Sequence, residues 1–324
     1  MQNLDFYREA FESYLKASTA AKEPLGLYEP MAYILGLGGK RLRPSLTLLT
    51  SELFGGDFHS ALDAALAVEI FHNFSLVHDD IMDDAPLRRG KTTVHEKWDI
   101  NTGILSGDVM LIRAYQCLES YKGDIFKELL KLFSRTAVEV CEGQQYDVDF
   151  ENRNDVTITE YLKMITFKTA VLIAAAMKMG AIIAKASKED SANIYEFGRN
   201  LGIAFQLQDD YLDTFGDPET FGKRIGGDIV ENKKTFLYLK SLALAEESDA
   251  RELEGLFTQT PTDPTEKIER TREIYMSSGA AQHARDEIQN YTTNAFKILD
   301  EMQVSENNKK AFKQIGEKLM QRKV

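Results

Sequence analysis

The run ALDAALAVEIFHNFSLVH, residues 61–78, is apolar around nearly its whole circumference when wound as a helix. A helix without a polar face has to be enclosed on all sides, so the chain must fold into a helical body large enough to bury it. The same 3.6-residue period governs the remainder, and strand-type alternation of β-branched residues is almost absent. The pattern predicts an all-α protein. Turn signals in GLGGKRLRP, LFGGD, YKGD and FGDPETFGKRIGGD separate long helical stretches, predicting roughly ten or more helices.

The 324 residues show no Pro/Gly/Ser-rich linker at which two domains would part, so one large domain over residues 1–324 is expected. The greasiest window, TAVLIAAAMKMGAIIAKA from Thr169, is interrupted by Lys178 and is too short without charge to span a bilayer. It reads as a core helix, and no membrane span is expected. The opening MQNLDFYREAFESYL carries acids and no apolar signal-peptide segment, which predicts a cytoplasmic protein. Cys117 and Cys141 have neither metal-type spacing nor a disulfide framework, fit a reducing compartment and read as packing residues. With 39 Lys+Arg against 51 Asp+Glu, the net charge of -12 argues against a nucleic-acid partner.

Charge arrives where the oily run ends. Four aspartates, Asp79, Asp80, Asp83 and Asp84, follow it within six positions. A helix C-terminus is the negative end of the macrodipole, so these carboxylates require compensating positive charge. The DDxxD spacing recurs in FQLQDDYLDTFGD as Asp209, Asp210 and Asp213, again behind an apolar helix. Residues four apart share a helix face, so Asp79 pairs with Asp83 and Asp209 with Asp213. One isolated acidic run is most often a solvated face; two, each behind a buried helix, point to metal. All-carboxylate sites suit hard cations, and Mg2+ takes one or two carboxylates and fills its shell with phosphate oxygens.

Basic residues stand beside these acids: Lys40, Arg41 and Arg43 in GGKRLRP, Arg88, Arg89 and Lys91 in PLRRGK, then Lys168, Lys223, Lys233 and Lys234. Singly each reads as a surface residue. Together they suggest a site for two phosphate-bearing groups, arginine gripping phosphate bidentately and lysine as a point charge. Glu69 and His72 form the i, i+3 pair of a di-iron bundle, but that site needs a second such pair and the other histidines have no glutamate three residues earlier. Trp98 reads as packing.

The stretches GGKRLRP, HNFSLVHDDIMD, RRG, FKT, FQLQDDYLD and GKRIGGDIVENKKT, in this order between about Gly38 and Thr235, resemble the trans-isoprenyl diphosphate synthases of the polyprenyl synthetase family. The resemblance implies an all-α helical bundle of the isoprenoid synthase fold with a central cavity, acting as a homodimer. It implies a Mg2+-dependent prenyltransferase that joins isopentenyl diphosphate to an allylic diphosphate (dimethylallyl, geranyl or farnesyl). Matched by position, Asp79 and Asp83 would bind two Mg2+ with Asp80 supporting, and Asp209 a third, the ions bridged by diphosphate. Lys40, Arg43, His72 and Arg89 would hold isopentenyl diphosphate. Arg88, Lys168, Lys223 and Lys233 would hold the allylic diphosphate, with Thr169 and Gln206 facing the developing cation.

The chain departs from many members in having KKTFLYL after the late lysine, which makes Lys234 a possible substitute for Lys233, and Asp84 extends the first motif as a solvated or supporting acid. Phe74, five residues before Asp79, lies about 7.5 Å back along the helix. The resemblance makes it the floor of the product pocket, with Phe71 a turn deeper and C15 to C20 products expected; the competing reading is that both rings are ordinary core. The alternatives are a class I terpene cyclase, whose second metal motif is not another DDxxD, a non-catalytic subunit of a synthase heteromer, which usually loses one of the two motifs, and a structural helical protein with acidic patches.

Overall fold

The computed structural model describes residues 4–20, 22–217 and 225–320. Helix makes up 79% of it, and β-structure among the described residues is a single two-stranded hairpin. The chain forms two compact units, residues 1–137 with 172–195, and residues 138–171 with 196–324.

The first unit is organised around α4 (Leu62–Met82), which extends the oily run by one turn into the aspartates. Twelve of its side chains are buried, from Ala64 to Asp80. It packs against α3 (Leu42–Leu53) and most extensively against α6 (Ile100–Cys117). Glycine sets how closely α4 and α6 approach: a Cβ on Gly107 would run into the His78 ring, and one on Gly103 would lie 2.8 Å from Ile81 Cδ1. Phe71, fully buried, packs edge-on against Phe133 with centroids 5.4 Å apart. Helices α1 (Leu4–Ser18) and α2 (Leu25–Gly36) pack against α3 and α6 respectively. Beyond α4 lie the hairpin β1 (Leu87–Arg88) and β2 (Lys91–Thr92) and the short α5 (Val94–Lys97).

The second unit has its own core, with Tyr161, Ile165, Leu207, Leu237, Ile274 and Tyr275 at its centre. Helix α8 (Ile158–Ile165) opens with a capping box: Glu160 N donates to Thr157 Oγ1 at 3.2 Å, and Thr157 N donates to Glu160 Oε2 at 2.9 Å. That reciprocal pair satisfies two orphan donors and fixes where the helix begins. Between α8 and α9 (Val171–Ile183) the turn Thr166–Ala170 is π-helical. The parts of α7 (Gly123–Glu151) and α10 (Lys188–Phe215) from residues 138 and 196 onward complete the framework that carries the second aspartate motif.

The predicted turns at Gly38–Gly39, Gly55 and Gly123 all contain glycines with positive φ. The fourth, in FGDPETFGKRIGGD, falls largely at residues 218–224, and Lys223 with it lies outside the described residues. One expectation is corrected: Cys141 is exposed and cannot be a packing residue, whereas Cys117 is partly buried. The segments Phe58–Met82 and Ile158–Ile183 are long and apolar enough to cross a membrane, but 67% and 72% of their most apolar windows are buried inside the protein, as core helices are.

Candidate active site

Helix α4 closes at the first aspartate motif. Asp83 is its C-cap, and its N–H donates to the Asp79 carbonyl at 2.9 Å. Asp79 and Asp83, one turn apart, are half-buried and exposed respectively. Asp80 is turned the other way, 1% exposed, and accepts from Arg88 Nε at 2.7 and 2.9 Å. Arg88 Nη2 adds a 2.6 Å contact, so the guanidinium lies along the carboxylate edge. The compensating charge that the helix C-terminus required is therefore Arg88, brought back by the hairpin.

The next arginine of the hairpin bends the opposite way. Arg89, in the left-handed region at φ 54°, donates to the Gly38 carbonyl. A Cβ on Gly39 would sit 2.9 Å from the Arg89 guanidinium carbon, and Gly39 itself has φ 129°. Only glycine meets both conditions. The loop then passes Arg41, also left-handed, into α3. Arg41 is buried, pairs with Glu69 and donates to the Leu35 carbonyl, while Asn73 Nδ2 donates to Glu69 Oε1 at 3.0 Å. Arg43 Nη1 approaches His72 Nε2 at 3.2 Å. Glu69 and His72 thus serve different partners, which removes the di-iron reading. Burial, then the charges of Arg43, Arg89, Arg88 and Arg41, hold the His72 imidazole well below its ordinary pKa. Two of these four cations have carboxylate partners, Arg41 with Glu69 and Arg88 with Asp80. Lys40 is exposed in the same loop.

Phe74 is 7% exposed, 5.5 Å from Phe71 and 4.8 Å from the His78 ring, centroid to centroid.

In the second unit Lys168 sits in the π-helical turn and its Nζ donates to Asp147 on α7. Gly143, one turn earlier on α7, would place a Cβ against the Lys168 backbone nitrogen and 2.7 Å from Lys168 Cα. Thr169 Oγ1 donates to Gln206 Oε1 at 3.1 Å, and Gln206 Nε2 donates to Asp210 Oδ1 at 2.8 Å. The Tyr161 hydroxyl donates to the other Asp210 oxygen. Burial pushes the Asp210 carboxyl up to about 7, against these bonds and with the Asp209 charge adding to it. Asp209 itself is half-buried. Asp213 Oδ2 accepts from Asp228 N at 2.9 Å, and burial followed by Asp210 and Asp213 drives the Asp228 carboxyl well above its usual range. Lys233 stands between Glu231 at 2.8 Å and Asp228 at 4.0 Å. Burial alone would lower its pKa, but Asp228 and Glu231 outweigh burial and raise it. Lys234 instead caps the end of α7, donating to the Phe150 and Glu151 carbonyls at 2.7 and 3.1 Å. It holds a helix terminus, which leaves Lys233 as the lysine among the acids.

Residues 40, 43, 72, 79, 83, 88 and 89 therefore belong to the first unit, and residues 168, 169, 206, 209 and 233 to the second. Sequence reasoning did not find Asp147, Tyr161, Asp228 or the Arg41–Glu69 pair; each reaches its partner across a long stretch of chain, with no spacing signal.

The family model for polyprenyl synthetase matches residues 25–275. The chain is similar to a geranylgeranyl diphosphate synthase of Saccharolobus solfataricus, 41% identical over 302 residues that cover 92% of this chain and 90% of that protein. It is also similar to a short chain isoprenyl diphosphate synthase of Methanothermobacter thermautotrophicus, 40% identical over 88% of this chain and 87% of that one. Among solved structures, a geranylgeranyl pyrophosphate synthase superposes with a TM-score of 0.96 at 53% identity, covering all of both chains. With the motifs, the fold and these likenesses in agreement, the chain belongs to the polyprenyl synthetase family.

Proposed function

We propose that the protein condenses isopentenyl diphosphate with an allylic diphosphate, head to tail, to give C15 to C20 prenyl diphosphates, and that residues 1–324 work as one polyprenyl synthetase domain. The observation that carries the reading is the basic group that the loop before α3 and the hairpin bring together: Arg89 donates to the Gly38 carbonyl, and Arg43 Nη1 lies 3.2 Å from His72 Nε2. Clustered guanidinium groups of this kind suit a multiply charged anion. The similar proteins named above, geranylgeranyl and short-chain synthases, support the substrate class.

The acidic groups fit Mg2+. Asp79, Asp83 and Asp209 offer oxygen donors only, and Asp79 and Asp83 stand one turn apart. In this reading Asp79 and Asp83 hold two ions and Asp209 a third, with diphosphate oxygens completing the shells. Bound Mg2+ neutralises charge developing on the diphosphate leaving group. The chain's own residues do the rest. Lys40, Arg43, His72 and Arg89 bind the isopentenyl diphosphate, and Arg88, Lys168, Lys223 and Lys233 the allylic one. Asp147 aims the Lys168 ammonium, and Asp80 orients Arg88. Thr169 and Gln206, held in line by Asp210, present oxygen dipoles to a developing allylic cation. In this reading apolar walls keep water from that cation, and Phe74 limits how far the product can grow.

A homodimer accords with the exposed Ile100, Ile104, Leu105 and Ile112 along α6. The expected compartment is the cytoplasm. The test is incubation with isopentenyl diphosphate, Mg2+ and dimethylallyl, geranyl or farnesyl diphosphate in turn, followed by chain-length analysis of the products. Elongation supports the reading; hydrocarbon release would favour a cyclase, and inactivity of the protein alone would favour a subunit of a heteromer.

A further inference from the structure

Asp84, His95 and Glu96 have no part in the site described above, yet one donor atom from each lies within 4.8 Å of the others. We propose that they form a separate site for a borderline divalent cation of the zinc class, which ties together the two ends of the arginine-bearing hairpin. The observation beyond the cluster itself is the state of His95. It is 7% exposed, and neither Nδ1 nor Nε2 has a hydrogen-bond partner among the described residues. Its Nε2 is 3.8 Å from Glu96 Oε1, too far for a hydrogen bond. Buried polar groups in folded proteins are almost always satisfied, so an imidazole with neither nitrogen hydrogen-bonded, one of them within 4.8 Å of a carboxylate oxygen of Asp84 and of Glu96, calls for a ligand.

The donor set identifies the ligand. Asp79, Asp83 and Asp209 offer oxygen alone, whereas this group adds an imidazole, which draws metals later in the divalent series than Mg2+. Zinc takes imidazole nitrogen and carboxylate oxygen at about 2.0–2.2 Å, which sets tetrahedral donors about 3.3 Å apart. The present separations are wider, but Asp84 and Glu96 are exposed and their side chains can close the difference by rotation, with water as fourth ligand. His95, enclosed by packing, is the fixed point.

The site's place in the chain gives it a consequence. Asp84 follows α4 directly, and His95 lies in α5, so the two bracket residues 85–94, the segment that carries Arg88 and Arg89. Arg88 is held to Asp80, and Arg89 to Gly38, while the base of the hairpin is joined by the backbone bond from Thr93 N to the Pro86 carbonyl at 3.2 Å. A cation shared by Asp84 and His95 would close that base covalently in effect, as a metal clip closes a loop. Any gain in diphosphate affinity rests on the function proposed above; the metal site does not.

The test uses the full chain, stripped with chelator and titrated with Zn2+ in the absence of any diphosphate. Equilibrium dialysis with radiozinc should give one ion per chain at micromolar metal. Co2+ in its place should give the visible absorption of a four- or five-coordinate site, and zinc should slow amide hydrogen exchange over residues 85–94. Asp84→Asn and Glu96→Gln, both at exposed positions, should each weaken binding at least about tenfold while circular dichroism stays unchanged. His95→Asn should abolish binding, but because its burial can disturb packing, the two exposed positions decide. An Asp79→Asn, Asp83→Asn double variant should keep its zinc. Failure of the wild-type chain to bind at micromolar metal, undiminished binding in both exposed variants, or loss of binding in the double variant would each overturn the proposal.

Discussion

Replacing Gly143 with alanine should destabilise the protein, although helix propensity predicts the reverse. In a helix interior alanine is better than glycine by about 1 kcal/mol. Gly143 lies within α7, and the added Cβ would meet the backbone nitrogen of Lys168, its Cα at 2.7 Å and the Phe167 carbonyl carbon at 2.7 Å. These are main-chain atoms of the π-helical turn, so no side chain can swing aside; the turn itself has to move. Overpacking costs about 1–3 kcal/mol, and because main-chain atoms have to shift the cost here lies in the upper part of that range, about 2–3 kcal/mol. Set against the propensity gain of about 1 kcal/mol, the net loss is about 1–2 kcal/mol, which for a unit of this size lowers Tm by about 2–8 °C. The displaced turn carries Lys168 and Thr169, so kcat should fall further than the loss of stability accounts for. Gly180→Ala is the control. Its Cβ would meet the Thr47 carbonyl and lie 2.9 Å from Ser51 N, a comparable clash on α9, about 18 Å along the helix from Lys168. Differential scanning fluorimetry and steady-state kinetics on both variants separate the effects: both should melt early, and only Gly143→Ala should lose kcat disproportionately. A Gly143→Ala protein as stable as the parent, or more so, refutes the packing argument.

Further outcomes follow from the same geometry. Arg43→Ala should mainly raise KM for isopentenyl diphosphate, whereas Lys168→Ala should mainly impair use of the allylic substrate; if both variants weaken the same substrate alone, the assignment of the two diphosphates is wrong. Phe74→Ala should lengthen the product distribution and Phe71→Ala should add to it, at a stability cost of about 3–5 kcal/mol for the fully buried Phe71 ring; unchanged chain lengths in the double variant would return both rings to packing. Because the folded pKa of His72 lies below its unfolded value of about 6.5, the unfolded state binds the extra proton as pH falls through that value, so stability is present above it and drains away below. Wild-type Tm should therefore drop more steeply than that of His72→Asn between pH 7 and pH 5.5, roughly the span in which a free imidazole titrates, and inorganic diphosphate should reduce the difference by supplying counter-charge; parallel pH profiles for wild type and His72→Asn would refute the depressed pKa.

The sequence made the fold legible because the strongest signal in it is also the most global one. A helix apolar all round can exist only inside other helices, and α4 is buried along its length as residues 61–78 require. The i, i+4 argument placed Asp79 and Asp83 one turn apart at a helix end without any structure. What spacing could not deliver was the use made of each acid. Glu69 looked like half of a metal pair with His72, yet it is consumed by Arg41, 28 residues away. The resemblance matched Lys233 and left Lys234 as a possible substitute, and the end of α7, more than eighty residues earlier, is what gives Lys234 its separate partner. Asp147 sits in GQQYD with nothing nearby to announce that it will meet Lys168. Local period is written in adjacent residues, whereas a partner chosen by tertiary packing is written in none.

The second aspartate of each motif, Asp80 and Asp210, is turned inward, and the two have different partners. Asp80 meets a guanidinium, which cannot give up its charge; Asp210 meets a hydroxyl and a carboxamide, both neutral. Identical letters at equivalent places therefore obey different rules of replacement. Asparagine at position 80 would strand an arginine, whereas at position 210 it would keep one acceptor oxygen and need only a flipped Gln206 amide to make use of its new donor. The two copies of DDxxD are thus free to drift apart at their second letter, and a search pattern that weights both copies alike would be too strict for one and too lenient for the other.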